Sequence, residues 1–170
     1  RGRRVVVGAV RRSGGGGGTT SWFVRVAPAG GGIHTVPGRW TWKLVRQRQN
    51  IPKRLQRALG VVARERRYLA FLEAAPLEST RDFILNNIKH GYPQWVVLSE
   101  GEVVGWCDVL PKSMPVHAHS GVLGVALLPE FRGQGLGGRL VRQTLDAARA
   151  FGLHRVELSV RQGNEMAIEL

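Results

Sequence analysis

The chain is nearly free of cysteine: Cys107 is the only one in 170 residues. A lone thiol closes no intramolecular disulfide and builds no cysteine-rich zinc site, which leaves a reducing, cytoplasmic setting as the default. Long apolar runs are missing too. None approaches the roughly 20 residues needed to cross a bilayer, and the stretch 5–10 behind Arg1-Gly2-Arg3-Arg4 is too short for the apolar part of a signal peptide. There is no internal repeat. The glycine-rich turn described below is not followed by Gly-Lys-Ser/Thr, so a phosphate P-loop is excluded.

Acidic residues are almost absent from the front. The formal charge of +13 divides unevenly: residues 1–67 hold 16 Lys/Arg against one acid, Glu65, while residues 68–170 hold 9 against 11. The basic surplus therefore belongs to the front end. Residues 1–49 carry no acid, a five-glycine run at 14–18, three glycines at 30–32, and arginines without helical or strand period. Such a segment buries too little apolar surface to offset its ordering entropy, and disorder is expected, with one short strand at 22–26. The chain starts with Arg rather than Met. The segment is thus a tail, a targeting stretch, or sequence upstream of the true start, and the abrupt change of composition fits the last best. Trp40 and Trp42 interleave with Arg39, Lys43, Arg46 and Arg48 as in nucleic-acid binders, but no binding-module pattern accompanies them.

From Asn50 the sequence has ordinary globular patterning. Pro52 suits a first helical turn, and Leu55, Leu59, Val62, Leu69 and Leu72 predict a helix to about Glu73, broken by Ala75-Pro76. Ser79 is a plausible N-cap for a second helix through Phe83, Ile84 and Ile88, ended by Gly91. Residues 94–98 and 103–110, around a Ser-Glu-Gly-Glu turn, predict a β-hairpin, followed by a loop over 112–117. Residues 122–128 are almost continuously apolar, which predicts a strand buried on both faces, stopped by Pro129. Next come Arg132 and the glycines 133, 135, 137 and 138. A helix follows with an apolar stripe of Leu136, Leu140, Val141, Leu145 and Ala148, and Gly152 stands at its C-terminal cap. A strand at 155–160 and a helix starting after Asn164 complete the order. A hairpin feeding a strand–helix–strand crossover gives a mixed sheet flanked by helices.

The glycine turn is the most informative stretch. It opens a helix whose first N–H groups have no partner within the helix and carry the positive end of its dipole, so a phosphorylated ligand is the natural guest. Gly133, Gly135 and Gly138 also satisfy Gly-x-Gly-x-x-Gly, the dinucleotide fingerprint. Its context is missing, because Pro129 to Arg132 intervene after the strand and no acid ends the next one.

The stretch resembles the coenzyme A-binding motif of the GNAT acetyltransferase superfamily. The signature Arg/Gln-x-x-Gly-x-Gly/Ala is met by Arg132, Gly135 and Gly137, behind a strand with Pro129 and ahead of Asn164-Glu165-Met166-Ala167-Ile168-Glu169-Leu170. The resemblance covers roughly residues 50–170 and implies a GNAT N-acetyltransferase domain. Its fold is α/β (α+β): a mixed, mostly antiparallel twisted sheet flanked by helices, here with the family's final strands missing. It also implies acetyl-CoA as acyl donor, no metal, and transfer to a primary amine of a small molecule or peptide by direct attack in a ternary complex. The pantetheine arm would lie along Val125, Ala126 and Leu127. The pyrophosphate would sit on Gly133, Gln134, Gly135, Leu136, Gly137 and Gly138 beside Arg132, with Asn164 touching the cofactor near the next strand.

The catalytic base is not given by the resemblance. Some relatives carry a glutamate five residues before the asparagine; here that residue is Ser159, which cannot serve. Asp108 at the end of the hairpin's second strand is a candidate. So are His117 and His119, which alternate along an extended stretch and point to one side. Glu130 reads as a surface residue and Cys107 as a buried one. Many family members place a tyrosine three residues after the Ala-Ile pair, and this chain ends one residue short of it. An incomplete, poorly stable domain with an exposed edge along 156–160 is therefore expected. Two other functions stay open: a non-catalytic acyl-CoA-binding domain, and a nucleic-acid binder using the basic front. No charge pattern selects an acceptor.

Overall fold

The structure, a computed structural model, describes residues 7–8, 19–25, 42–46, 51–69, 72–161 and 163–168. Within the front segment these are three strands, β1 (Val7–Gly8), β2 (Thr19–Arg25) and β3 (Trp42–Arg46). The rest of that segment, with Arg39, Trp40 and Arg48 of the nucleic-acid reading, lies outside the described residues.

The remaining elements follow in chain order: helices α1 (Pro52–Arg64) and α2 (Leu77–Lys89), the hairpin β4 (Gln94–Ser99) and β5 (Glu102–Pro111), then β6 (Ser120–Leu127), α3 (Leu136–Ala150), β7 (Arg155–Arg161) and the short α4 (Glu165–Ile168). The strands join in the order β1-β2-β7-β6-β5-β4-β3, and only β6 and β7 run parallel. Side chains alternate across each strand, so the sheet feeds two cores. On one face Leu140, Leu145 and Ala148 of α3 pack on Val97, Cys107, Val109 and Leu123. On the other, Leu55, Ala58 and Val62 of α1 and Ile84 of α2 pack on Val96, Val103 and Trp106. Leu140 is fully buried. Leu140→Ala should cost about 2–5 kcal/mol, read as a lower midpoint in urea denaturation, because the lost methyls leave a cavity between α3 and the sheet.

The predicted α3 stripe is present, with Thr144 as an added buried member whose hydroxyl donates to the Leu140 carbonyl at 2.9 Å. Its end is a Schellman cap: Gly152 N–H donates to the Arg149 carbonyl at 2.9 Å and Leu153 N–H to the Ala148 carbonyl at 3.0 Å. α2 starts at Leu77, with Pro76 rather than Ser79 as its N-cap. α1 stops at Arg64, well short of the predicted Glu73, because the next residues leave the helix and Arg66 adopts a left-handed φ of 54°. That early exit matters for the site.

Two expectations about the strands are corrected. β6 is not buried on both faces: Val122 is 46 % exposed and Gly124 is exposed, since neither α1 nor α2 covers this part of the sheet. The edge of β7 is not open either. β2 pairs with it antiparallel from Thr19↔Arg161 to Arg25↔Arg155, satisfying the row of N–H and C=O groups that an edge would otherwise present. At the other side β3 pairs with β4 directly ahead of α1. Among the described residues no helix is long and apolar enough to cross a membrane.

Candidate functional site

The site begins where two strands part. β6 and β7 pair in parallel only from Ser120↔Arg155 to Val122↔Glu157. Beyond Val122 the strands diverge, and β6 continues with β5 alone, to Leu127. The N–H and C=O groups of successive strand residues point to opposite sides within the sheet. Lys112 N–H donates to the Ser120 carbonyl and Leu128 N–H to the Val104 carbonyl, each at 2.9 Å, so the even-numbered residues of β6 face β5. The odd ones, Leu123, Val125 and Leu127, therefore turn their main chain toward the gap left by β7. An extended ligand can add there as a strand.

A cleft of about 330 Å³ occupies this gap. Val125, Ala126 and Leu127 form its floor, Arg132, Gly133, Gly135 and Gly137 its end wall, and Asn164 and Ala167 one side. Val62 of α1 and Tyr68 also line it. Eight residues predicted to bind a cofactor thus meet around one cavity. Of the other three, Leu136 is buried in the core, Gln134 donates its side-chain amide to the Glu130 carbonyl at 2.8 Å, and Gly138 opens α3 beside the wall. Sequence reasoning missed Tyr68 and Ala167, and it read Val62 only as helix core.

The end wall suits an anion. Gly133 and Gly135 have φ of 70° and 71°, a conformation that turns successive N–H groups to one side and that residues with a Cβ rarely adopt. Gly135 is the N-cap of α3, with no side chain capping the first turn and no acid in it. The N–H groups of the opening turn are therefore left for a ligand. Arg132 is less free than expected. Its Nη1 and Nη2 donate to Oε2 and Oε1 of Glu65 at 2.8 and 2.5 Å, and its Nε donates to the Leu127 carbonyl at 2.9 Å. The guanidinium carbon also lies 4.7 Å from the centre of the Tyr68 ring. The Glu65 hydrogen bonds raise the Arg132 pKa above its ordinary value, so it stays charged.

Asp108 sits on β5, not at its end but three residues before it, opposite Gly124 on β6 and Gln94 on β4. Two residues on from Trp106, it projects from the same face, toward α1 and α2. Its Oδ1 would be 3.3 Å from a Cβ at Gly124, so the bare glycine makes room for the carboxyl. The residue keeps some surface, but burial of the carboxyl pushes its pKa up to about 7. Among the described residues no ion pair or hydrogen bond offsets this. Asp108 is thus a carboxyl poised near neutrality, one cross-strand position from where β6 and β7 part.

The other candidates lie elsewhere. Pro115–His117 is a single 3-10 turn rather than extended chain, so His117 and His119 do not form the predicted one-sided row. Both side chains are exposed. His119, just before β6, is on the order of 13 Å short of Leu123 at strand rise. Cys107 points into the α3 core, where burial pushes its thiol well up, partly offset by a hydrogen bond with Thr144; it is not a nucleophile. Glu130 is exposed. Ser159 pairs with Ser21 of β2. No cluster of three metal-ligating side chains occurs among the described residues.

The Acetyltransferase (GNAT) family profile matches residues 60–170. No curated protein matches the chain. Solved structures do. The acetyltransferase of GNAT family from Streptococcus pneumoniae has a TM-score of 0.69 at 18 % identity, covering 75 % of this chain and 80 % of that one. Ribosomal-protein-alanine N-acetyltransferase from Brucella melitensis has 0.69 at 22 %, covering 74 % and 78 %. A phosphinothricin acetyltransferase from Sinorhizobium meliloti in complex with acetyl-CoA has 0.70 at 16 %, covering 75 % and 70 %. Likenesses at this identity establish a shared fold, and the profile, which spans well over half of the sequence, places the chain in the GNAT acetyltransferase family.

Proposed function

We propose that this chain transfers an acetyl group from acetyl-CoA, held in the cleft between β6 and β7, to a primary amine bound at the same time. The observation that carries the reading is the parting of these strands after Val122↔Glu157, which leaves the β6 main chain open along a cavity that ends on bare helix-opening amides.

The residues fit the donor. Amides from Gly133 through Gly138 hold the diphosphate without a lysine, and the odd-numbered main-chain groups of β6 take the amide-bearing arm as an added strand. Bound there, acetyl-CoA supplies a thioester carbonyl for attack. A β6 main-chain N–H in the gap donates to the charge that develops on the carbonyl oxygen. Asp108 accepts a proton from the acceptor ammonium, so that a neutral amine attacks. Its pKa near 7 suits the task, since a base works best when its own pKa lies near the operating pH. The reading places the catalytic domain over residues 50–170 and fits a reducing, cytoplasmic setting for the single thiol.

Calorimetry with acetyl-CoA should give one site per chain. At 100 times its Kd the ligand should stabilise the fold by about 2.7 kcal/mol, a rise of several degrees in Tm. Incubation with a panel of small amines and peptides should then release free CoA thiol in step with acetylated product. No affinity for acetyl-CoA refutes the reading, and affinity without transfer to any amine reduces the chain to an acyl-CoA-binding module.

A further inference from the structure

We infer that Glu65 is the positioning residue for the turn that holds the diphosphate, acting through Arg132; this rests on the acetyl-CoA reading above. Within the turn the exposed Gln134 side-chain amide donates to the Glu130 carbonyl, a single hydrogen bond open to solvent. A Cβ built on Gly133 or Gly135 would meet no atom within 4 Å, so no neighbouring side chain packs at either point. What anchors this backbone lies beside it: Phe131 and Leu136, both in the core, and the side chain of Arg132.

That side chain is held from three directions. Glu65 takes both ends of the guanidinium fork, the Leu127 carbonyl takes Nε–H, and the Tyr68 ring lies against the flat face. The arginine and glutamate side chains are only 19 % and 22 % exposed, so the pair is shielded from screening. A two-point fork fixes direction as well as distance, which a lysine does not. Arg132 is therefore a strut between the end of α1 and the residue before Gly133. With its charge matched by Glu65, the diphosphate is left to the turn amides. Glu65 reaches Arg132 from the C-cap of α1, where its backbone is still helical, and the left-handed Arg66 that follows carries the chain on toward Tyr68.

The test uses the full chain. Glu65→Gln keeps the shape of the side chain and removes its charge and one acceptor. Calorimetry should find acetyl-CoA bound about 10- to 100-fold more weakly, the size expected for losing charge-assisted bonds that hold a site together. The melting temperature should fall by a few degrees, because one partner of a shielded pair is left unmatched. S-acetyl-pantetheine has the thioester arm without the diphosphate, and an NMR titration with it should give the same Kd for both proteins. Arg132→Lys, which keeps the charge and loses the fork, should match Glu65→Gln, and the double variant should be no worse than either alone. Equal or tighter acetyl-CoA binding by Glu65→Gln overturns the proposal, since Arg132 would then serve the phosphates better when released. An equal loss for S-acetyl-pantetheine overturns it too, by making Glu65 a general support of the fold. A wild-type chain without affinity for acetyl-CoA sinks the functional reading first, and this inference with it.

Discussion

Asp108→Asn should lower the rate of acetyl transfer about 100-fold or more while leaving acetyl-CoA affinity within a factor of two or so. General acid–base groups contribute ~10²–10⁴-fold, and Asp108 lies outside the residues that line the cofactor cleft. The pH profile gives a sharper reading. In the wild type, activity should rise with pH through about 7 as the buried carboxyl ionises; in the asparagine variant that inflection should vanish. Stability should move the other way. The carboxyl ionises near 3.8 when unfolded but near 7 when folded. Between those values the unfolded chain binds fewer protons, so the contribution of Asp108 to stability declines as pH rises from about 4 to about 7 and then levels off. Asparagine removes that decline. The variant should therefore gain melting temperature relative to wild type between pH 5 and pH 8, as a stability–activity trade-off at a catalytic group requires. Asp108 is excluded as the base if the variant keeps wild-type turnover with its inflection intact.

Gly135→Val should abolish most acetyl-CoA binding, with Kd rising about 100-fold. A left-handed backbone costs a residue with a Cβ about 1–2 kcal/mol, and a β-branched one more, so the turn relieves the strain by rotating its amides away. Each charge-assisted hydrogen bond lost in this way removes about 1.5–3 kcal/mol. Gly91 supplies the control. It has nearly the same φ, 68°, and an equally open Cβ direction, but it follows α2, away from the cleft. Gly91→Val should lower Tm by a few degrees and leave acetyl-CoA binding unchanged. Similar affinity losses in the two variants would mean that the turn amides have no special part in binding.

Much of this site is legible in the sequence because local rules dictate it. The 3.6-residue period of Leu136 to Ala148, the punctuation by Pro129 and Gly152, and the glycines between them locate β6, the turn and α3. What joins distant parts is not legible. Glu65 and Tyr68 read as members of one long helix; in the fold that helix ends at its C-cap Glu65, which meets Arg132, and Tyr68 reaches the same guanidinium only after the bend at Arg66. Asp108 is an ordinary strand carboxylate until pairing sets Gly124 opposite it. Thr19–Arg25 lies among glycines and arginines, and nothing local announces its pairing with β7.

That last pairing also bears on the order of events during synthesis. Thr19–Arg25 leaves the ribosome long before Arg155–Arg161, the strand it lies against. The hairpin of β4 and β5 can close from neighbouring residues, whereas the β2–β7 ladder must close a loop of nearly the whole chain and bears the corresponding entropy. The sheet is thus completed last at β7, and a nascent chain stalled before Arg155 holds the glycine turn without Asn164 and Ala167, which line the other side of the cleft.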